Sequence, residues 1–161
     1  MNPQFSAFQK IILHPFKFGF FLFKKLPAAW IAGLRMKKFE AEECVVIVRH
    51  QWLNQNPFQS MYFAVQSMAA EMTTGMLAFG QIYQRNPSVS MLVVGMQSKF
   101  HKKATGHITF TCTDGILIAN TIEEALSTGQ GHSITCYSIG KNKEGEIVSE
   151  FWFTWSFKAK G

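Results

Sequence analysis

Glu71 is the one charged residue between Pro57 and Gln84, in a stretch that is otherwise apolar or uncharged. A carboxylate in such surroundings either finds a partner for its charge or has its pKa raised by desolvation. A raised pKa suits a general base, and a desolvated carboxylate can also attack as a nucleophile. The alternatives are an ion pair with a basic residue such as Arg35 or Lys99, a hydrogen bond to a serine or threonine, and simple exposure.

Among the hydrogen-bonding side chains that precede Glu71, three are candidates for a supporting role, namely Asn56, Tyr62 and Gln66. Asn56 or Gln66 could orient a water or a carbonyl group, and Tyr62 could donate a hydrogen bond to that carbonyl. Two of them also have a structural alternative that the sequence favours. Asn56 is expected to serve as a helix N-cap, and Tyr62 to be a core tyrosine with its hydroxyl at the surface.

His101, Lys102 and Lys103 form a run of cationic or potentially cationic residues. Such a run suits a ligand that carries several phosphates. The alternative is an ordinary solvated turn. Both interpretations stay open at this point.

Metal and nucleotide chemistry lack their usual motifs. Cys44, Cys112 and Cys136 are odd in number and include no CxxC pair, and the five histidines show no metal-ligand spacing. Neither GxxxxGK[ST] nor GxGxxG occurs. We therefore predict no metal and no cofactor, and free thiols indicate a reducing, cytoplasmic environment.

The chain has 161 residues, which predicts a single domain, and a net charge of +6 that is unevenly placed. Residues 1–39 contain seven lysines or arginines, no acid and many aromatic residues. Three roles are open for this segment: short helices that cover the core, attraction to an acidic membrane surface, and contact with ligand phosphates. Nucleic acid is not expected, because no nucleic-acid motif accompanies the charge.

The basic segment is too charged to span a membrane or to be a signal peptide. The apolar run of residues 18–23 is far below the roughly 20 residues that a span needs, and Lys24, Lys25 and Pro27 interrupt the apolar stretches. We expect the mature chain to begin near Met1.

A long helix is predicted from Pro57 to about Gln84, with Asn56 as its N-cap. Methionine, alanine and aromatic residues lie on all its faces, so this helix is expected to be buried. The last strand of the chain presents four aromatic residues on one face, which should pack on the helix or on another subunit. These residues are Phe151, Phe153, Trp155 and Phe157.

The rest of the chain reads as strands and one short helix. The helix is expected over residues 120–128, because Thr121 and Glu124 have capping-box spacing and Gly129 follows as a C-terminal glycine. Together the elements predict an α+β fold, an antiparallel sheet of about five to six strands wrapped around one long central helix. The predicted strands are residues 44–52, 89–100, 107–113, 132–139 and 147–158.

The order of these elements resembles the hotdog fold of acyl-CoA thioesterases and dehydratases. The chain also resembles, over essentially its whole length, an uncharacterised, thioesterase-like hotdog family of bacteria. The stretches that carry this resemblance are residues 26–35, 56–64, 68–71, 74–75 and 100–106. The resemblance implies a homodimer or tetramer that binds an acyl-thioester in a tunnel near the subunit interface.

Related phenylacetyl-CoA-type thioesterases have a His-Gly-Gly about nine residues before the catalytic acid. Placing Glu71 at the acid puts Tyr62, Phe63 and Ala64 at the His-Gly-Gly. The resemblance implies that backbone N–H groups near Phe63 and Ala64 stabilise the oxyanion. It also implies that His101, Lys102 and Lys103 lie near the CoA phosphates.

These observations predict a cytoplasmic, thioesterase-like hydrolase that acts on an acyl-thioester at the N-terminal half of the central helix. Its substrate is a CoA thioester, with Glu71 as base or nucleophile. A second hypothesis, favoured by the missing His-Gly-Gly, is a non-catalytic acyl-CoA or fatty-acid binding protein. A third is a peripheral membrane protein that uses the basic N-terminal segment.

Overall fold

The computed structural model describes residues 1–160, and within them the chain forms five α-helices and six strands. The elements are α1 (Phe5–Ile12), α2 (Pro15–Lys25), α3 (Pro27–Ala32), β1 (Arg35–Phe39), β2 (Cys44–Arg49), a 3-10 turn (Trp52–Asn54), α4 (Phe63–Ile82), β3 (Val89–Phe100), β4 (His107–Cys112), α5 (Gly115–Thr128), β5 (His132–Lys141) and β6 (Ile147–Ala159).

All six strands pair antiparallel in one sheet with the order β1-β2-β4-β5-β6-β3. The long helix α4 packs on β2, β4, β5 and β6. The aromatic face of β6 is buried as predicted, because it lies in the core with α4. This is the α+β hotdog fold, with β1 and β3 as its two edge strands.

Helix α4 begins later than predicted, and Asn56 is not its N-cap. Oδ1 of Asn56 instead accepts hydrogen bonds from the N–H groups of Phe58, at 2.9 Å, and Ser60, at 3.2 Å. These bonds make a tight turn in which Gln59 has a φ of 58°. An asparagine followed by proline suits such a turn as well as a cap, so the local pattern did not separate the two.

The N-terminal segment contains three helices, but residues 35–39 of the predicted helical segment form β1 instead. Antiparallel pairing with β2, from Arg35 opposite Ile47 to Phe39 opposite Cys44, holds this short strand in place. Of the three roles left open for this segment, the helices fill the first by packing on α4, and the ring of Phe8 contacts Phe39 and, in α4, Phe79. Within residues 1–160, no helix combines the length and apolarity needed to cross a bilayer.

Helix α5 is longer than predicted and begins at Gly115. A side chain at this position would place its Cβ only 2.0 Å from the carbonyl oxygen of Ala41, so glycine permits the close approach to the β1–β2 turn. Thr121 therefore lies inside the helix, where its hydroxyl donates to the carbonyl of Leu117 at 2.9 Å and does not form a capping box. Gly129 ends the helix with a φ of 68°, as predicted.

The strand predicted to reach Trp52 ends at Arg49. Asn54 turns the chain away from the sheet, because its Nδ2 donates to the carbonyls of Ala32, at 3.0 Å, and Arg49, at 2.8 Å. The buried Asn54 thus ties β2 to α3 and sets up the loop that leads into α4.

Candidate functional site

Glu71 lies in the middle of α4, partly buried and without a partner. Within residues 1–160 its carboxylate accepts no hydrogen bond and forms no ion pair. The proposed ion pairs are absent there, since Arg35 lines a different cavity and Nζ of Lys99 lies over the ring of Trp152. Burial raises the pKa of Glu71 from 4.5 to about 7.

The Glu71 side chain reaches a cavity of about 360 Å³, which we call the glutamate cavity. Apolar side chains dominate its wall, and Glu71 and Lys25 are its charged members. A second hollow of about 230 Å³ adjoins it and shares Lys25, Leu26, Glu71 and Met72. Together the two could take an acyl chain. The glutamate cavity is lined by Phe21, Lys25, Leu26, Glu71, Met72, Gly75, Met76, Phe79 and Met91.

Gly75 and Trp155 determine where the carboxylate of Glu71 lies. A Cβ on Gly75 would be 2.8 Å from Oε1 of Glu71 and 3.1 Å from Cζ2 of Trp155, so both groups occupy the space beside the glycine. Nε1 of Trp155 donates to the hydroxyl of Thr74 at 2.9 Å, and that hydroxyl donates to the carbonyl of Glu71 at 3.0 Å. These hydrogen bonds hold the indole in place, and both the indole and the carboxylate lie close to Gly75.

A second cavity, of about 570 Å³, lies at the start of α4, and we call it the helix-start cavity. It gathers most of the other predicted site residues, but Glu71 and Ala64 do not line it. Its lining includes Asn56, Phe58, Tyr62, Phe63, Gln66, Phe100, His101, Lys102 and Lys103.

Several hydrogen-bond donors at the start of α4 have no acceptor within residues 1–160. The backbone N–H groups of Phe63 and Ala64 are the first two of the helix, and neither finds an intrahelical partner or a side-chain cap. Nδ2 of Asn56 and the hydroxyl of Tyr62 likewise make no hydrogen bond there, whereas Oδ1 of Asn56 is occupied by the turn. The helix dipole adds partial positive charge at this end.

Gln66 differs from its neighbours because its polar atoms are engaged inside the protein. Its Oε1 accepts from the hydroxyl of Ser149 at 2.8 Å, and its Nε2 donates to the carbonyl of Met61 at 3.3 Å. The side chain is buried, and the two bonds tie the start of α4 to β6.

The cationic residues of the turn after β3 lie at the rim of the helix-start cavity and are exposed. His101 contacts Glu150 at 2.7 Å, Lys102 pairs with Glu146, and Nζ of Lys103 donates to the carbonyl of Phe58 at 3.3 Å. Lys102 and Asn142 hold the pKa of Glu146 below its usual range.

The predicted site is therefore divided within one chain. Tyr62, which directly precedes α4, and Glu71 are nine residues apart, about 13 Å along the helix axis at roughly 1.5 Å per residue. Sequence reasoning missed Gly75, Trp155 and Met91 around the carboxylate. It also missed that α2 and α3 cover the glutamate cavity, although the family resemblance at residues 26–35 was a signal for this segment.

The fold recurs in solved structures. A Pseudomonas aeruginosa protein of unknown function, described as a probable thioesterase, has a TM-score of 0.75 at 20% identity, covering 93% of this chain and 99% of its own. A Haemophilus influenzae thioesterase has a TM-score of 0.63 at 11% identity, over 85% of this chain and 86% of its own. At these identities the likeness establishes the fold.

A Staphylococcus aureus protein of the same fold, named a thioesterase, is similar at a TM-score of 0.58 and 13% identity, over 79% of this chain and 94% of its own. It was solved with a glutamine replaced by alanine and, in a second structure, with a glutamate replaced by alanine 15 positions further along.

No curated protein sequence matches this chain. One family model, described as a domain of unknown function, matches residues 17–156, from the second of the N-terminal helices to the last strand. The protein thus belongs to the DUF4442 family.

Proposed function

We propose that this protein hydrolyses an acyl-thioester, with Glu71 as general base or nucleophile. The observation that carries the proposal is a carboxylate without a partner, facing an apolar cavity and its adjoining hollow. With its pKa raised to about 7, Glu71 is partly ionised at neutral pH and can take a proton from water. The thioesterase names of several structures with this fold agree with this chemistry.

In this mechanism a water attacks the thioester carbonyl as Glu71 removes its proton. The negative charge that develops on the carbonyl oxygen needs donors that are already in place. The free N–H groups of Phe63 and Ala64 are suited to that role, with the hydroxyl of Tyr62 and Nδ2 of Asn56 as further donors. As the tetrahedral intermediate collapses, the C–S bond breaks and the leaving thiolate takes up the proton that Glu71 removed from the water, which restores the Glu71 carboxylate. Gln66 acts by positioning the start of α4.

Base and donors come together in this proposal when two copies of the chain pair through β3. This edge strand borders both cavities, with Met91 at the glutamate cavity and Phe100 at the helix-start cavity. Two-fold pairing of β3 with a second β3 is antiparallel, so an axis near Gly95 and Met96 would set the Met91 end of one strand beside the Phe100 end of the other. Each site would then use Glu71 from one copy and donors from the other.

Exposure along β3 supports this pairing. Its residues from Leu92 onward are mostly open to solvent although several are apolar, and a long apolar edge strand is a template for another strand. A dimer would bury it.

We further propose that the thiol carrier is coenzyme A, whose phosphates would lie at His101, Lys102 and Lys103. Their exposure at the rim of the helix-start cavity supports this role. The acidic partners of His101 and Lys102 sit in exposed or partly exposed positions, from which a phosphate can displace them.

The separation between Asn56 and Glu71 also supports their joint use. These residues are 15 positions apart, which is the separation of the glutamine and glutamate replaced in the Staphylococcus aureus structures. Asparagine and glutamine offer the same amide donor, so we propose that Asn56 orients the carbonyl or the attacking water. We also propose that this protein is related to the phenylacetyl-CoA-type thioesterases.

A non-catalytic acyl-binding protein is the second candidate, and one observation favours it. Tyr62 and Phe63 stand where His-Gly-Gly is expected, and the ring of Phe63 lies against Tyr62 with centroids 4.8 Å apart. These rings narrow the approach of a thioester carbonyl to the helix start, which would permit acyl binding without turnover.

The deciding experiment measures hydrolysis of short-chain, long-chain and aromatic acyl-CoAs by the wild type and Glu71→Gln. Glu144→Gln, at an exposed loop position without an ion pair in residues 1–160, is the matched control. We expect turnover to fall by about 10²-fold or more in Glu71→Gln alone, with folding and ligand binding unchanged. Ligand-induced thermal shifts without wild-type turnover on any acyl-CoA would instead support the binding protein.

A second variant separates the position of Glu71 from its charge. In Gly75→Ala the new methyl group meets Oε1, and the flexible carboxylate moves more readily than the fixed indole of Trp155. We expect a roughly tenfold loss of turnover with the fold retained. Unchanged turnover would show that the observed position of the carboxylate is not the catalytic one.

A further inference from the structure

We propose that the outer face of α2 and α3 docks on an anionic membrane surface. We call this face the outer patch, and it is defined by Phe16, Phe20, Phe23, Trp30 and Ile31, all exposed. The proposal concerns binding to lipid and does not depend on hydrolysis by Glu71.

Helix α2 has two apolar faces, although packing against the protein uses only one. Phe18 and Leu22 point inward and are buried. Phe16, Phe20 and Phe23 follow at steps of four and three residues, so they share the opposite side of the helix. Their exposed fractions are 85%, 59% and 56%. Three phenylalanines on one solvent face exceed what scattered surface exposure explains.

Contacts join these residues into one surface. The ring of Phe23 meets Trp30 of α3 edge-on, with centroids 5.3 Å apart. Nζ of Lys24 lies 4.7 Å from the centroid of Phe20, which places a cation directly beside the aromatic rings. Aromatic rings and lysines in this arrangement are typical of elements that lie in the membrane interface.

The charge around the outer patch favours an anionic lipid surface, rather than a second copy of this chain, as its binding partner. Residues 1–39 contain no acid, and Lys10, Lys17, Lys24 and Lys25 form no ion pair within residues 1–160. A symmetric contact between two such patches would oppose like charges. An anionic bilayer instead accepts the rings and attracts the lysines.

A cavity lined by basic residues lies at the edge of the outer patch and adds to the positive charge there. It measures about 550 Å³, shares Trp30 and Ile31 with the patch, and contains Arg35, Arg49 and His107 but no acidic side chain. Neither arginine forms an ion pair within residues 1–160. These groups can receive lipid phosphates next to the inserted rings.

The test is flotation of the full-length protein with phosphatidylcholine vesicles, with and without phosphatidylglycerol. We expect the wild type to bind the phosphatidylglycerol vesicles, less tightly at high salt, and to bind pure phosphatidylcholine weakly. Phe16→Ser with Phe20→Ser should lower the binding at least tenfold. The matched control replaces two exposed apolar residues of α5, in Ile116→Ser with Leu117→Ser, and should bind like the wild type.

Two double variants test the contribution of the lysines separately from that of the aromatic rings. Lys17→Gln with Lys24→Gln should weaken binding to phosphatidylglycerol vesicles severalfold, whereas Lys141→Gln with Lys143→Gln in the exposed β5–β6 region should not. Absence of wild-type binding, or equal binding by patch and control variants, would overturn the proposal. A change of oligomeric state in Phe16→Ser with Phe20→Ser would also overturn it and assign the patch to a second copy.

Discussion

The helix-start cavity and the glutamate cavity lie along the same helix, yet they differ in polarity and in unsatisfied groups. The helix-start cavity has hydrogen-bond donors without acceptors and a cationic rim. The glutamate cavity is mostly apolar and holds one carboxylate without a donor. The first is suited to stabilising negative charge, and the second to raising the pKa of an acid.

This difference shows why it is useful to keep the Glu71 carboxylate apart from the hydrogen-bond donors at the start of α4. Donors placed against the Glu71 carboxylate would stabilise its charged form and lower its pKa, which would weaken it as a base near neutral pH. The oxyanion requires such donors. In the proposed dimer each group keeps its own environment in one copy and meets its counterpart across β3.

A substitution that prevents two β3 strands from pairing should have the largest effect, because it separates the glutamate cavity of one copy from the helix-start cavity of the other. Leu92→Lys places a charge on the exposed edge, and we expect a monomer whose thioester hydrolysis is reduced by about 10²-fold or more, because base and donors no longer meet. Light scattering and turnover measure both outcomes. Leu117→Lys is the control, since Leu117 is 55% exposed against 65% for Leu92 but lies on α5. A fully active Leu92→Lys monomer would contradict the shared site.

The pH dependence of stability should report the apolar environment of Glu71. Its carboxyl ionises near 4.5 when unfolded and near 7 when folded, so the folded state binds more protons between these values. Stability therefore falls as pH rises through this window, by up to about 3 kcal/mol. Glu71→Gln removes this loss, so its stability relative to the wild type should increase from pH 4.5 to pH 8. Denaturant unfolding of both proteins at several pH values measures this difference in stability. A difference that does not change with pH would contradict the raised pKa of Glu71.

Replacing Gln66 should affect stability more than chemistry, in contrast to Glu71. Gln66→Leu leaves the hydroxyl of Ser149 and the carbonyl of Met61 without their partners, at a cost of about 2 kcal/mol. Ser149→Ala shares this network, so the double variant should lose less than the sum of the two single losses. A drop in kcat above about 10²-fold in a folded Gln66→Leu protein would make Gln66 a catalytic residue.

Replacing the lysines at the rim of the helix-start cavity should have the smallest effect. Lys102→Gln with Lys103→Gln is expected to raise KM for a CoA thioester about threefold to tenfold, and less at high salt, because these exposed charges are screened. An N-acetylcysteamine thioester, which has no phosphates, should show no change. Equal effects on both substrates, or an equal effect of Lys141→Gln with Lys143→Gln, would remove the rim from the proposed CoA site.

Periodicity located most of the fold because buried and exposed residues alternate along the strands. In β4, Ile108, Phe110 and Cys112 are buried and the residues between them are not. β1 escaped prediction because it is short and basic, and Phe39 is its one buried residue. The start of α4 was misplaced because an Asn-Pro pair is equally compatible with a helix cap and with the turn that Asn56 makes.

The sequence by itself determined that one carboxylate lies in a long apolar helix and that the N-terminal quarter is basic and aromatic. Both follow from residue types along the chain. Tertiary structure decided that Glu71 lies near Gly75 and Trp155 and forms no ion pair within residues 1–160, that β3 is an edge, and that α2 turns a second apolar face outward. Periodicity shows which residues avoid water, whereas the packing of elements distant in sequence decides which groups meet.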